Sequence, residues 1–498
     1  MSSSPPPDKS LDAAVVQIGR GPTGTALARH LLPQLAAGTR YVVVDRDPTA
    51  SHLAFGTPEP THLINTRAAK SSLNPADPDE CLRWTTAHAE AAGVPVPEFP
   101  ARRWYGHYVA DMFDQAVRQA RAAGVIVDVV RDDAVRVLPL ADGRHRVECA
   151  GGFAAEADRV ALCPGMQAQA DPVPAIAGAA GYFGDPWRLP ELPREARIAI
   201  VGTRLTAIDT FLTLAARGHR GPIVLASRSG RLPRLRGSEA VAPVPHVEAC
   251  MAAAYAAGTL RLEDFGRALM ADIEAASTTP PDWREVRDCG PTTRTMLAAE
   301  IAEVASGVER GWQQVINGAS PVLLPAWQLL AEEDRAVFFT EWLTPLLVHG
   351  APIPLSTARR VLAGIDAGQL HVAGGLSAVR QAGEHFLVRT AEGEIEADVV
   401  INATGAATDE ATLRREPLLA HLLDQGSLTA HPHGGVRIDV ATFEAVDRAG
   451  APVRGLHVIG DLTRGAVLVT NDVLALSFLA TLAANAMSAR REAGVPIP

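Results

Sequence analysis

A strand, a glycine turn, a helix and a second strand occur twice in the same order, at residues 13–45 and 197–228. A long Ala- and Leu-rich stretch separates the second copy from the strands that follow it. Together these observations predict an α/β chain with two Rossmann-like dinucleotide-binding domains and a helical insertion. The composition fits a folded chain of several domains, with 498 residues, 47% of them hydrophobic and 20% charged, at about 100–200 residues per domain. Its 46 basic and 56 acidic residues leave a net charge of −10, which argues against a nucleic-acid binder that works by neutralising phosphates.

In the first copy the apolar strand Ala13–Ile18 enters Gly19-Arg20-Gly21-Pro22-Thr23-Gly24, and a helix opens through Thr25–Leu31. Gly19 permits the tight turn, Gly21 lets the backbone approach a pyrophosphate, and Gly24 lets the helix pack on the strand. The helix N-terminus, with Pro22 and Thr23 in its first turn, adds donors and partial positive charge. The second strand, Tyr41–Val44, ends at Asp45, 26 positions beyond Gly19. A carboxylate there accepts ribose hydroxyls, and Arg46 follows it, so this copy suits FAD.

In the second copy Arg197–Val201 leads into Gly202-Thr203-Arg204-Leu205-Thr206-Ala207, and Pro222–Ala226 leads into Ser227-Arg228-Ser229-Gly230-Arg231. The same 26-position offset, counted from Gly202, falls on Arg228. A guanidinium flanked by the hydroxyls of Ser227 and Ser229, with Arg231 at the end of the same turn, binds a 2′-phosphate that a carboxylate would repel, which selects NADPH over NADH. Arg204 and Ala207 stand where the middle and last glycines belong. Three fates are open to Arg204: it turns outward, it pairs with the pyrophosphate, or it obstructs NADPH.

Between Ser238 and about Pro354 the pattern is helical, with tryptophans at 283, 312, 327 and 342, and strands resume at Gln369–Ala373, Phe386–Arg389 and Asp398–Asn402. The expected organisation is an FAD domain from 11–190 and 396–498 and an NADPH domain from 191–240 and 355–395. A helical insertion occupies 241–354 and a leader 1–10. The leader has no apolar segment of the kind a signal peptide needs. The apolar run Val473–Met487, interrupted by Ser477, Thr481 and Asn485, is shorter than the roughly 20 residues that span a bilayer and reads as a buried helix. Five cysteines (Cys81, Cys149, Cys163, Cys250, Cys289), none closely spaced, fit reduced cytosolic thiols with neither a zinc site nor a redox pair.

With both turns in view, the chain resembles the two-dinucleotide flavoproteins of the glutathione-reductase-like group. Within that group it is most similar to the FAD/NAD(P)-binding family related to class B flavin monooxygenases and N-hydroxylases. The resemblance rests on the first glycine turn, His62-Leu63-Ile64-Asn65, Tyr105-Gly106-His107-Tyr108, Leu162-Cys163-Pro164-Gly165 and Leu205–Asp209. It continues through Gly218–Gly221 to Ser227-Arg228, Asp282-Trp283-Arg284, Ala403-Thr404-Gly405 and Gly455–Asp461. It implies that Gly165, Gly405 and Gly460 lie beside cofactor, that Asp461 accepts from the ribityl chain, and that the backbone near Ala134 meets the adenine. It also implies that the helix opened by Asn471, Asp472 and Val473 faces the flavin pyrimidine edge, where the alternative is an ordinary helix cap.

The resemblance places Asn65 against the flavin ring and Arg102 and Tyr105 near the reacting centre. The alternatives are a local turn for Asn65, a solvated cation for Arg102 and a core aromatic for Tyr105. Residues 342–354 depart from the family's more basic run, keeping only His349, which reads as structural and leaves the substrate unspecified. The implied chemistry is an NADPH-reduced flavin that forms a C4a-hydroperoxide with dioxygen and passes one oxygen to a small nucleophile, foremost an amine nitrogen of an amino acid or related metabolite. A dehydrogenase or reductase without oxygen transfer and a non-catalytic, FAD-holding redox sensor are the competing expectations. The expected partners are the small-molecule substrate and dioxygen, with neither nucleic acid nor membrane; a homo-oligomer is compatible with the sequence.

Overall fold

The computed structural model describes residues 10–47, 55–165, 171–237, 239–278, 281–283, 286, 290–470 and 472–489. Arg284, Cys289 and Asn471, and all of the expected leader except Ser10, lie outside the described residues. The chain forms two compact units, one from residues 1–168 and 407–498 and the other from 169–406.

The first unit begins with β1 (Leu11–Ile18), α1 (Pro22–Leu31), β2 (Arg40–Asp45), α2 (Glu80–Ala92) and α3 (Arg102–Ala122). It continues through β3 (Ile126–Arg131), β4 (Ala134–Pro139), β5 (His145–Cys149) and β6 (Ala154–Leu162), and regains the chain at strands Glu444–Val446 and Pro452–Val458. In its main sheet Glu444–Val446, Pro452–Val458, β6, β1, β2 and β3 lie side by side in that order. All these pairings are parallel except the first. Val15 to Ile18 are all buried, the unbroken pattern of a parallel strand covered on both faces. The second half of β1 therefore holds the glycine turn on a rigid base.

Strands β3 and β4 are separated by a break at Asp132 and Asp133. The Asp132 carboxylate accepts from the amides of Asp133 and Gly151, both at 2.8 Å, and this turn carries the chain out of the parallel sheet into the antiparallel β4–β5 ribbon. Ala134 thus opens that ribbon opposite Cys149. The expected apolar helix runs over Val473–Ala489 and packs on α1. It is buried on one face only: Leu474, Phe478 and Leu482, spaced four apart, are 46%, 49% and 37% exposed, since a 3.6-residue period turns every fourth side chain to one side.

The second unit has β7 (Tyr182–Phe183), β8 (Ile198–Val201), α4 (Leu205–Ala216), β9 (Ile223–Ala226) and β10 (Leu370–Ala373). Strands β11 (Ala378–Ala382), β12 (His385–Thr390), β13 (Gly393–Ala397) and β14 (Val399–Asn402) follow. The order β10-β9-β8-β14-β7 makes a parallel five-stranded sheet, and β11–β13 an antiparallel one. Two of the expected boundaries move. Tyr182–Phe183 and Val399–Asn402, assigned from sequence to the first domain, pair here in the second sheet, Val399 opposite Ile198. Short apolar strands carry no mark of the sheet they join, and register alone decides it.

Helices between Pro245 and Gly350 form the insertion. Within it the Arg310 guanidinium is buried and donates to Glu300 at 2.9 Å, Glu303 at 2.7 Å and the Leu235 carbonyl at 3.0 Å. His349 lies edge-on to Trp312 at 5.3 Å, its Nε2 buried with no hydrogen-bond partner among the described residues. Burial, with Arg234, Arg231 and Arg310 nearby, pushes the His349 pKa down to about 4, which keeps the ring neutral and structural.

Candidate dinucleotide-binding sites

In the first unit Gly19 adopts φ +95 and donates its amide to Val44 at 2.9 Å. A Cβ on Gly19 would lie 2.1 Å from the Cys163 carbonyl, and one on Gly24 2.2 Å from the Gly19 carbonyl. Both contacts are with backbone, so neither position tolerates a side chain. Gly21 precedes α1 with no side-chain cap, and Pro22 and Thr23 occupy the first turn, whose amides have no carbonyl within the helix to bond. Gly165, at φ +75, follows the Cys163-Pro164 turn at the end of β6. Asp45 is buried; its two oxygens accept from the amides of Arg20 at 2.7 Å and Asp47 at 2.8 Å. Arg46, by contrast, is 60% exposed and ion-paired with Glu416 and Asp133, so a phosphate would have to displace two carboxylates to reach it.

Asp461 closes the site from the other chain segment. Gly460, at φ +91, fits against Thr23: a Cβ there would lie 2.7 Å from the Thr23 hydroxyl. The Asp461 Oδ1 accepts from Arg464 at 2.7 Å and the Thr470 hydroxyl at 2.9 Å, while its Oδ2 is buried with no hydrogen-bond partner among the described residues. A buried carboxylate oxygen left in that state is costly, about 1–3 kcal/mol or more for a charged group. The hydroxyl-rich ribityl chain of FAD supplies donors of the missing kind, and together with the glycine cradle this makes the residues present a fit for that cofactor. The Asp472 Oδ1 accepts from the amides of Leu474 and Ala475, at 3.0 and 3.1 Å. Asp472 is thus the cap of the helix that Val473 begins.

Of the three residues expected at the reacting centre, Arg102 is tied to the segment that carries Asn65. Leu63 bridges Ala101, the Arg102 amide donates to the His62 carbonyl at 2.7 Å, and the Arg102 Nε donates to the Leu63 carbonyl at 3.1 Å. Arg102 is therefore not a solvated cation; it is buried and ties the His62–Asn65 segment to the start of α3. Asn65 follows in a half-buried bend. Tyr105 is fully buried, tilted against Phe55 at 4.9 Å and Tyr108 at 5.5 Å, with a hydroxyl that has no hydrogen-bond partner among the described residues. Burial pushes its phenol well above the usual range, so it stays a neutral donor.

The second turn has the same construction. Gly202, at φ +131, donates to the Ala226 carbonyl at 2.8 Å, and a Cβ on it would lie 2.4 Å from the Ala403 carbonyl. Gly405, at φ +88, follows the end of β14, two residues after the Ala403 carbonyl that Gly202 meets. Leu205 and Thr206 form the first turn of α4, with Arg204 before them. Arg228 is exposed, and the nearby Arg204 feels its charge: burial, then Arg228, lowers the Arg204 pKa. The sequence expectations for Ser227 and Arg231 are altered. The Ser227 hydroxyl accepts from the Gly230 amide at 2.9 Å and shares a hydrogen with Thr203 at 3.0 Å, and Arg231 is buried with its Nε on the Gly290 carbonyl at 2.5 Å. Both build the turn. Thr470, Arg464 and Thr203 were not signalled by any motif, because each acts by holding another residue.

Two sheets whose central strands run parallel, each with a glycine turn between a central strand and a helix, define the class of fold: two Rossmann-like dinucleotide-binding units. Residues 16–167 match the family model described as FAD-NAD(P)-binding. Among solved structures the chain is similar to L-lysine 6-monooxygenase from Pseudomonas syringae, at 16% identity and TM-score 0.57 over 97% of this chain and 100% of that one. It is also similar to the ornithine hydroxylase of Pseudomonas aeruginosa, at 13% identity and TM-score 0.55 with the same coverage. Over 163 residues it is 28% identical to nitrosuccinic acid synthase from Aspergillus oryzae, a match that takes in 29% of this chain and a quarter (25%) of that protein's length.

Proposed function

We propose that the protein is an FAD-dependent, NADPH-using monooxygenase that oxygenates a small nucleophilic substrate, foremost an amine nitrogen of an amino acid or related metabolite. The observation that carries the cofactor assignment is the buried Asp461 Oδ2, without a hydrogen-bond partner among the described residues, beside a cradle where Gly19, Gly24 and Gly460 leave no room for a side chain. FAD bound there would take a hydride from NADPH and pass its two electrons to dioxygen, one atom of which goes to the substrate while the other leaves as water.

The chain's own residues orient and shield. Gly19, Gly21 and Gly24 admit the pyrophosphate, Asp461 holds the ribityl chain, and Arg102 fixes the strap that carries Asn65. Tyr105 offers a neutral hydroxyl, and Arg228 selects the 2′-phosphate of NADPH. The lysine monooxygenase and ornithine hydroxylase it resembles are named for amino-acid substrates, which supports the choice of acceptor. Turnover under labelled dioxygen tests the reading: one labelled atom is expected in the product, and product without label leaves a reductase of the same fold.

Arg204 favours a second reading. A side chain in the glycine slot is compatible with a protein that holds FAD without turning over. Anaerobic mixing with NADPH, then NADH, decides between the two, since bleaching of the bound flavin requires a working second site.

A further inference from the structure

We propose that Arg20 contacts the cofactor, its guanidinium donating to an oxygen of the adenosine diphosphate part of FAD. This rests on the reading that the first unit binds FAD. Arg20 lies between Gly19 and Gly21 and is only 6% exposed. Its backbone is fully used, the amide donating to Asp45 at 2.7 Å and the carbonyl accepting from the Thr25 hydroxyl at 3.1 Å.

Its side chain is not. The guanidinium stacks over the Phe113 ring at 4.4 Å, its Nε is buried without a partner, and none of its nitrogens hydrogen-bonds or ion-pairs among the described residues. Asp114, Asp45 and Asp47 act on it only through their field. A guanidinium carries five donors and no acceptor, and buried polar groups in native proteins are almost always bonded. The oxygen acceptors that a glycine turn of this kind brings to such a spot are those of a diphosphate and its ribose. Asp45, already accepting two amides, supplies only acceptors to the ribose, and Arg20 supplies the complementary donors.

Arg20→Met keeps a stem on Phe113 and removes every donor, while Arg20→Lys keeps the charge. Apoprotein of each is titrated with FAD and with riboflavin, which lacks the adenosine diphosphate, by fluorescence quenching, with near-ultraviolet circular dichroism as the check on folding. Expected are a rise in the FAD Kd of about 10- to 100-fold for Arg20→Met and a smaller rise for Arg20→Lys, with riboflavin within about 2-fold of wild type. Should Arg20→Met fail to fold, the Arg20→Lys titration carries the comparison. An FAD Kd within about 3-fold of wild type, or equal losses for FAD and riboflavin, overturns the contact and makes Arg20 a prop for Phe113. Wild-type protein that binds neither ligand overturns the FAD reading itself, and the role of Arg20 with it.

Discussion

The hydroxyls of Thr203 and Ser227 lie 3.0 Å apart, and the second hydrogen bond of Thr203, to the Arg231 carbonyl at 2.7 Å, fixes the direction of both protons. Thr203 donates to the carbonyl, so Ser227 donates to Thr203 while accepting from Gly230. Ser227 therefore has little left for a ligand. Ser227→Ala is expected to change the NADPH KM by less than about 3-fold and to lower stability by about 1 kcal/mol. Arg228→Glu, which places a carboxylate beside the 2′-phosphate, should raise that KM by about 30-fold or more and leave FAD content intact. Steady-state kinetics on the two variants checks both, and an unchanged KM for Arg228→Glu means the second site is misassigned.

Asp461→Asn keeps one oxygen for Arg464 and Thr470 and replaces the other with an amide donor. It should purify folded but pale, with FAD binding weakened about 10-fold or more. Asp461→Ala should purify colourless and lose about 1–3 kcal/mol besides, since Arg464 and Thr470 lose their acceptor. The ratio of flavin to protein absorbance measures the first effect and a urea melt the second; a yellow Asp461→Ala protein contradicts the assignment.

Both glycine turns, their flanking strands and the end residues Asp45 and Arg228 are legible in the sequence because each depends on local chemistry: an apolar run, a residue without a side chain, a charge at a set distance. What the sequence does not show is long-range partnership. Nothing in Val399–Asn402 says that it pairs with Ile198–Val201, nothing in Asp132 announces the amide of Gly151, and the buried state of Arg20 depends on Phe113, far along the chain. Arg102 and Asp472 show the same limit from the other side. Their residue types suit a cofactor site as well as a strap or a cap, and only coordinates reveal the bonds to Leu63 and to Leu474.

Tyr105→Phe removes a buried hydroxyl that bonds to nothing among the described residues. If packing were its whole role, the change would be neutral or slightly stabilising. We expect that result for the thermal melt, together with a loss of coupling: more peroxide released per NADPH consumed, by several-fold. Coupling equal to wild type would make Tyr105 a core aromatic.

His349 predicts a pH dependence. With its pKa at about 4 in the folded protein against roughly 6.5 unfolded, the unfolded chain binds the proton first as pH falls. Stability from this group is therefore complete above about pH 6.5 and lost progressively down to about pH 4. Between pH 7 and 5 wild type should lose on the order of 1–2 kcal/mol more than His349→Gln. Urea midpoints at the two pH values measure the difference, and parallel losses remove the assignment.

The first unit is made of two stretches of chain separated by the whole of the second, and this has a consequence for synthesis. Strand Pro452–Val458 lies beside β6 in the first sheet, and Asp461 follows it directly. While the chain leaves the ribosome, residues 169–406 can complete their own sheet, but the first unit waits with the edge of β6 open and the flavin cradle lacking one wall. Nascent chains halted before residue 452 should therefore retain no FAD, however long they are given to fold.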